Sequence, residues 1–303
     1  MSKVPVYKKQ KGKATGKEEE MAKCSAWCLL WGPTFNKDYL YLVNHVKNLG
    51  FDGIEIPLTR QILEKFPLKE LKRELLDTGL SATFCAGLDV DQNIATGDKE
   101  KQRRGIDHLK RCVEVVAQFS GDCLAGIIYG VWGWFSGNPP TEDELNWSAD
   151  CLREVADYAR TFNVNLAIEP CSRFECYLIA TVEEGLNYLK KVGRDNVGLL
   201  LDTFQMNIEE KDPSRAILQA GDKLFHFHVC ASDRGIPGTG HINWNDVFDA
   251  LRRIGYKRWL TVESFWPTSG GGVGAAAKVW RQLAPSPDDI AKGGLNLIRR
   301  YLP

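Results

Sequence analysis

Apolar residues in this chain fall into short solid runs, separated by longer stretches where they recur every three or four positions. The runs have the length and the β-branched and aromatic content of buried strands, and the stretches have the period of amphipathic helices. In order, the predicted strands are 24–30, 51–57, 80–85, 123–130, 166–170, 197–202, 224–229 and 259–264. Helices are predicted near 38–49, 61–78, 99–119, 141–162, 182–192, 214–220, 243–254 and 287–301. Gly50 and Gly79 stop the first two, and Thr141 with Glu144 makes a capping box for the fourth. Strict alternation predicts a parallel sheet, and eight repeats predict closure into a single-domain α/β barrel of the (β/α)8 TIM type. A doubly wound open sheet is the alternative, and it would scatter the strand ends along an edge.

The last four runs share one design. Leu166-Ala-Ile-Glu-Pro170, Val197–Asp202, Leu224–Val229 and Trp259–Ser264 each carry a metal-binding side chain at or near the end: Glu169, Asp202, His228 and Glu263. Their separations of 33, 26 and 35 residues match consecutive strand–helix units. The carboxyl ends of successive barrel strands converge on one rim, so the four would meet there. Taken singly, an acid at a strand end more often caps the next helix, and a core histidine is more often just hydrogen-bonded. Four in phase with the barrel period point to a metal site. Three oxygens and one imidazole form a harder set than the cysteine-rich sites of structural zinc, and suit Mn²⁺, Mg²⁺ or Co²⁺. Such ions act as Lewis acids on oxygen-rich substrates.

Two loop positions join this set. Glu175 follows Glu169 by six residues with Arg173 between them, and Arg234 follows His228 by six and opens a glycine-rich loop to Gly240. Side chains on such loops face substrate and could bind sugar hydroxyls, although a surface salt bridge is equally open on pattern alone.

Length and composition narrow the field. A chain of 303 residues, 44% hydrophobic, fits one barrel domain. Its 39 basic residues balance 39 acidic ones, which argues against nucleic-acid binding, and no apolar run is long enough to span a membrane. Nine irregularly spaced cysteines read as reduced thiols of a cytoplasmic protein. Residues 1–23 stand apart as a charged extension, lysines followed by Glu18-Glu19-Glu20, and are predicted to be disordered. They lack the apolar stretch of a secretory signal. The catalytic domain is then 24–303.

Several motifs in the right order carry a family likeness: Leu201-Asp-Thr-Phe-Gln-Met-Asn-Ile-Glu-Glu210, Arg173-Phe-Glu175 and Lys278-Val-Trp-Arg281. Over roughly 24–303 the chain resembles the ketose 3-epimerases, the D-tagatose and D-allulose (psicose) enzymes within the xylose-isomerase-like TIM barrels. The resemblance implies one divalent ion, Mn²⁺ first and Co²⁺ or Mg²⁺ otherwise, held by Glu169, Asp202, His228 and Glu263. It also implies that Glu175 and Arg234 contact a small sugar, that Glu169 and Glu263 exchange its C3 proton, and that the protein is a homodimer or homotetramer.

One departure stands out. The family's histidine three residues after the metal-binding aspartate is Gln205 here, and glutamine can donate a hydrogen bond but cannot become cationic. Trp132, Trp134 and Trp266 would make an aromatic mouth that could stack on sugar C–H faces or pack against a partner subunit. Other readings on the same barrel are an aldose–ketose isomerase or inosose dehydratase, and the metal-binding subunit of a C-glycoside deglycosidase. A sugar-phosphate enzyme and a sugar-binding protein without catalysis complete the alternatives.

Overall fold

A computed structural model describes residues 22–267 and 272–302. Its strands are β1 (Cys24–Trp27), β2 (Gly53–Pro57), β3 (Ser81–Cys85), β4 (Cys123–Gly126), β5 (Asn165–Ile168), β6 (Val197–Asp202), β7 (Leu224–Val229) and β8 (Leu260–Val262). All neighbours pair in parallel, and β1 pairs with both β2 and β8, so the barrel closes in sequence order. The expected architecture therefore holds. Apart from Ala22 and Lys23, the charged extension lies outside the described residues.

Local chemistry sets the element ends. Gly50 and Gly79 adopt left-handed backbone at φ 96° and 64°, terminating helices Leu42–Leu49 and Leu68–Thr78 as expected. Thr141 and Glu144 form the capping box that opens helix Glu142–Arg160. Thr181 and Glu184 form a second box before Val182–Val192.

Three expectations are corrected. The single helix predicted over 61–78 is two, Arg60–Lys65 and Leu68–Thr78. Phe66 turns extended ahead of Pro67, because a proline ring crowds helical backbone at the preceding residue. Runs 24–30 and 123–130 are strands only to Trp27 and Gly126, since the rim loops bend away before the apolar run ends. A short helix, Thr203–Glu209, follows β6 where none was predicted.

A buried polar layer crosses the barrel interior. Ser25, Glu55, Thr83, His226 and Thr261 are all buried there. Glu55 pairs with Thr83 in register, as Ser25 does with Thr261 and Asp202 with His228. Ser25 Oγ lies 2.6 Å from Thr261 Oγ1, and Thr83 Oγ1 donates to Glu55 Oε1 at 3.0 Å. Buried polar groups persist where each finds a partner, and this layer is knitted in that way.

Candidate metal centre and active site

The four expected ligands arrive at the open rim from four successive strands. Asp202 and His228 end or nearly end β6 and β7, while Glu169 and Glu263 stand one residue beyond β5 and β8. All four are buried. Ligand atoms of Glu169, Asp202 and His228 lie within 4.8 Å of one another, and His228 Nδ1 is 3.4 Å from Glu263 Oε1. Glu263 also shares a cluster of the same span with Asp202 and Cys230.

Asp202 divides its two oxygens. Oδ1 accepts from Phe204 N at 2.9 Å and so caps the short helix, while Oδ2 faces the site. The capping role is thus taken by one oxygen, and the other is left to serve the site.

Glu55 on β2, absent from the expected set, orients the histidine. Its Oε2 lies 2.8 Å from His228 Nε2 and its Oε1 lies 2.7 Å from His226 Nε2. Two bare lone pairs cannot approach so closely, so each Nε2 carries a proton. The His228 contact is an ion-pair approach rather than an aligned hydrogen bond. With Nε2 engaged, His228 Nδ1 is left buried without a hydrogen-bond partner, facing the carboxylates. Burial acts on His228, but Glu55 and Glu263 outweigh it and raise the imidazole well above its ordinary value. This unpartnered Nδ1 beside three buried acids therefore fits one hard divalent cation once that cation displaces its proton.

The expected substrate contacts sit above this cluster. Arg234 is buried, with Nη1 3.1 Å from Asp202 Oδ2, ion-paired to Glu263, and with Nη2 3.5 Å from Glu175 Oε1. Its guanidinium lies between the rings of Phe204 and Phe265, 3.9 and 4.8 Å from their centroids. Its φ of 64° is unusual for a side-chain-bearing residue, and such backbone persists where surrounding contacts fix it. Glu175 Oε2 accepts from Gln205 Nε2 at 2.8 Å and from Trp132 Nε1 at 3.0 Å. Gln205 Oε1 accepts from Ser172 N at 2.9 Å, so the amide is held at both ends.

Other expected residues lie elsewhere. Trp266 is not among the residues lining the pocket, because one step of chain reverses a side chain's direction and Phe265 takes that wall. Trp134 packs against Tyr177 with centroids 5.9 Å apart. Arg173 turns outward and forks onto Glu209 at 2.6 and 2.9 Å.

Comparison with known proteins follows this geometry. The xylose isomerase-like TIM barrel family model matches residues 43–300. A probable ketose 3-epimerase of Synechocystis is 35% identical over 271 residues, 89% of this chain and 93% of that one. The chain belongs to this family's ketose 3-epimerases. It is an isomerase by that membership. The D-psicose 3-epimerase of Ruminiclostridium cellulolyticum is 33% identical over 86% of this chain and 89% of its own. The crystal structure of a D-allulose 3-epimerase from Methylomonas superposes with a TM-score of 0.88 at 29% identity, over 93% of this chain and 99% of that one.

Electrostatics separate the two glutamates of this epimerase. Burial, then repulsion from Glu263, raises the Glu169 carboxyl well above the usual range. Burial also acts on Glu263, but His228 and Arg234 outweigh it and hold that carboxyl down to about 2. Burial pushes Asp202 up to about 7 against the pull of Arg234. Three acids packed this tightly do not all ionise without added positive charge, which a divalent ion would supply. Among the described residues no helix is long and apolar enough to cross a membrane.

Proposed function

We propose that this epimerase inverts C3 of a free ketose of the D-allulose/D-fructose or D-tagatose type. Relatives named for D-psicose and L-ribulose support the substrate class. The observation that carries the proposal is the pairing of Glu169 and Glu263. From just beyond β5 and β8 they enter two buried clusters that share Asp202, and their surroundings raise the first carboxyl and lower the second. An epimerase needs one group ready to give a proton and another ready to take one, and environments that push two acids apart supply both.

In this reading Glu169, Asp202, His228 and Glu263 hold one divalent ion, Mn²⁺ first and Co²⁺ or Mg²⁺ otherwise. When bound, the ion supplies Lewis acidity to the sugar's carbonyl and neighbouring hydroxyl. The ionised glutamate takes the C3 proton, leaving an enediolate, and the protonated one returns a proton from the opposite face. Glu175, fixed by Gln205 and Trp132, and Arg234 orient the hydroxyls. Arg234 is committed to three carboxylates and deeply buried, which disfavours the phosphate reading.

Incubating metal-loaded protein with a panel of free ketoses in deuterated water tests this. Deuterium at C3 with appearance of the C3 epimer is expected. Label at C1 alone would mean an aldose–ketose isomerase, and dependence on a second protein would favour the C-glycoside reading.

A further inference from the structure

The rim is divided. The proposed metal and acid/base residues all come from β5–β8, and beside them lies a pocket of about 160 Å³. The opposite side of the rim, built from segments following β1, β2 and β3, holds a chamber of about 710 Å³. Trp27, Pro57, Thr59, Gly87, Trp132 and Val273 line both, so the two spaces are continuous. The smaller volume suits one sugar ring, whereas the larger falls in the range of sites that enclose a ligand several times that size.

Exposed Thr34, Thr59 and Gln61 give the chamber hydroxyl and amide groups that a ligand can reach. Half-buried Trp132 gives the chamber aromatic surface, and exposed Asp89 gives it an acceptor. Arg60 is already neutralised, 2.6 Å from Asp91 and 3.4 Å from Asp89, so the lining does not select an anion. A half-buried indole, reachable hydroxyl and amide groups and balanced charge match a neutral ring that is apolar on its C–H side and rich in hydroxyls at its edge.

We infer that the chamber is a second sugar subsite, and that the preferred substrate is a ketose bearing a glycosidically linked sugar ring on the end remote from C2 and C3. The inference rests on the ketose reading of the catalytic pocket. The reacting carbons lie at the β5–β8 side, and the longer C4–C6 arm spans towards β1–β3.

The test compares fructose with 6-O-glucosyl-fructose on metal-loaded protein, by calorimetric affinity and by C3 hydrogen exchange. Thr34→Trp and Ala276→Trp narrow the chamber from two exposed positions absent from the catalytic pocket. The extended sugar is expected to bind about tenfold tighter and to exchange with about tenfold higher kcat/KM, the scale of one stacked, hydrogen-bonded ring. Both substitutions should erase that advantage while leaving fructose within about twofold. Equal affinity for the two sugars, or variants that weaken both in parallel, would overturn the subsite. An affinity gain without C3 exchange of either sugar would keep the subsite and sink C3 epimerisation, whereas C3 exchange of fructose without any gain would do the reverse.

Discussion

Replacing Glu55 by glutamine keeps the shape of a fully buried side chain and removes its charge. A carboxylate offers an acceptor oxygen to each of two protonated imidazole nitrogens, His226 Nε2 at 2.7 Å and His228 Nε2 at 2.8 Å. An amide has one acceptor end and one donor end, so it can serve only one of them. Thr83 Oγ1, which donates to Oε1 at 3.0 Å, favours keeping the amide oxygen on the His226 side. That leaves an N–H against His228, which must then give up its Nε2 proton and shift it to Nδ1, the atom proposed to hold the metal.

Loss of such an orienting partner typically lowers metal affinity by about 10- to 100-fold, or about 1.4–2.7 kcal/mol. The assay is titration of chelator-stripped protein with Mn²⁺, followed by calorimetry, with circular dichroism to establish folding. Thr83→Val is the control. It removes a hydrogen bond on the Oε1 side, so it should cost about 1 kcal/mol of stability and leave Mn²⁺ affinity within about twofold. A folded Glu55→Gln protein that binds Mn²⁺ within about twofold of wild type would refute the argument.

Further outcomes can be measured on the same protein. Glu169→Gln and Glu263→Gln should each lower C3 exchange by about 100-fold or more, and near-wild-type turnover in either would remove it from the acid/base pair. Gln205→Leu cuts the links to Ser172 N and Glu175 and should reduce kcat/KM by about 5- to 30-fold, as expected for 1–2 kcal/mol of lost positioning; an unchanged value would mean that Glu175 is held well enough by Trp132 and Arg234. Adding Mn²⁺ at about a hundredfold excess over its Kd should stabilise the fold by about 2.7 kcal/mol in calorimetric unfolding, and no upward shift in Tm would speak against a site built from these four ligands.

The barrel and the four rim residues were legible because both depend on periods visible along the chain. Strand ends recur once per strand–helix unit, and a ligand at each end keeps the same phase. Glu55 was hidden by that logic, since it sits inside an apolar run and not at its end. Its signal was finer: a lone acid flanked by Ile54 and Ile56, on a strand with every residue buried. His226 carried a similar signal, two residues before His228 and therefore on the same face of β7. Trp266 shows the opposite hazard. Composition marked it as part of the mouth, but period-two alternation in extended chain selects the neighbouring Phe265, and run length alone does not fix that parity. The helix Thr203–Glu209 escaped because seven residues are too few for a helical period to stand out, and Asp202 initiates it by capping rather than by any apolar stripe.

The acids of the site also share a division of labour. Asp202 gives one oxygen to a helix N-terminus and the other to the site, and Glu55 gives one to His226 and Thr83 and the other to His228. Glu175 gives Oε2 to Trp132 and Gln205 and turns Oε1 towards Arg234. In each case one oxygen is fixed by scaffold and the second is presented in a set direction, so the functional atom has little freedom to lose on binding. Gln205 fits the same scheme. A glutamine that spans Ser172 N and Glu175 fixes that acid through an amide held at both ends, a task that requires no charge on the residue itself. Gln205 therefore anchors Glu175 from one side, while Arg234 supplies the fixed positive charge on the other.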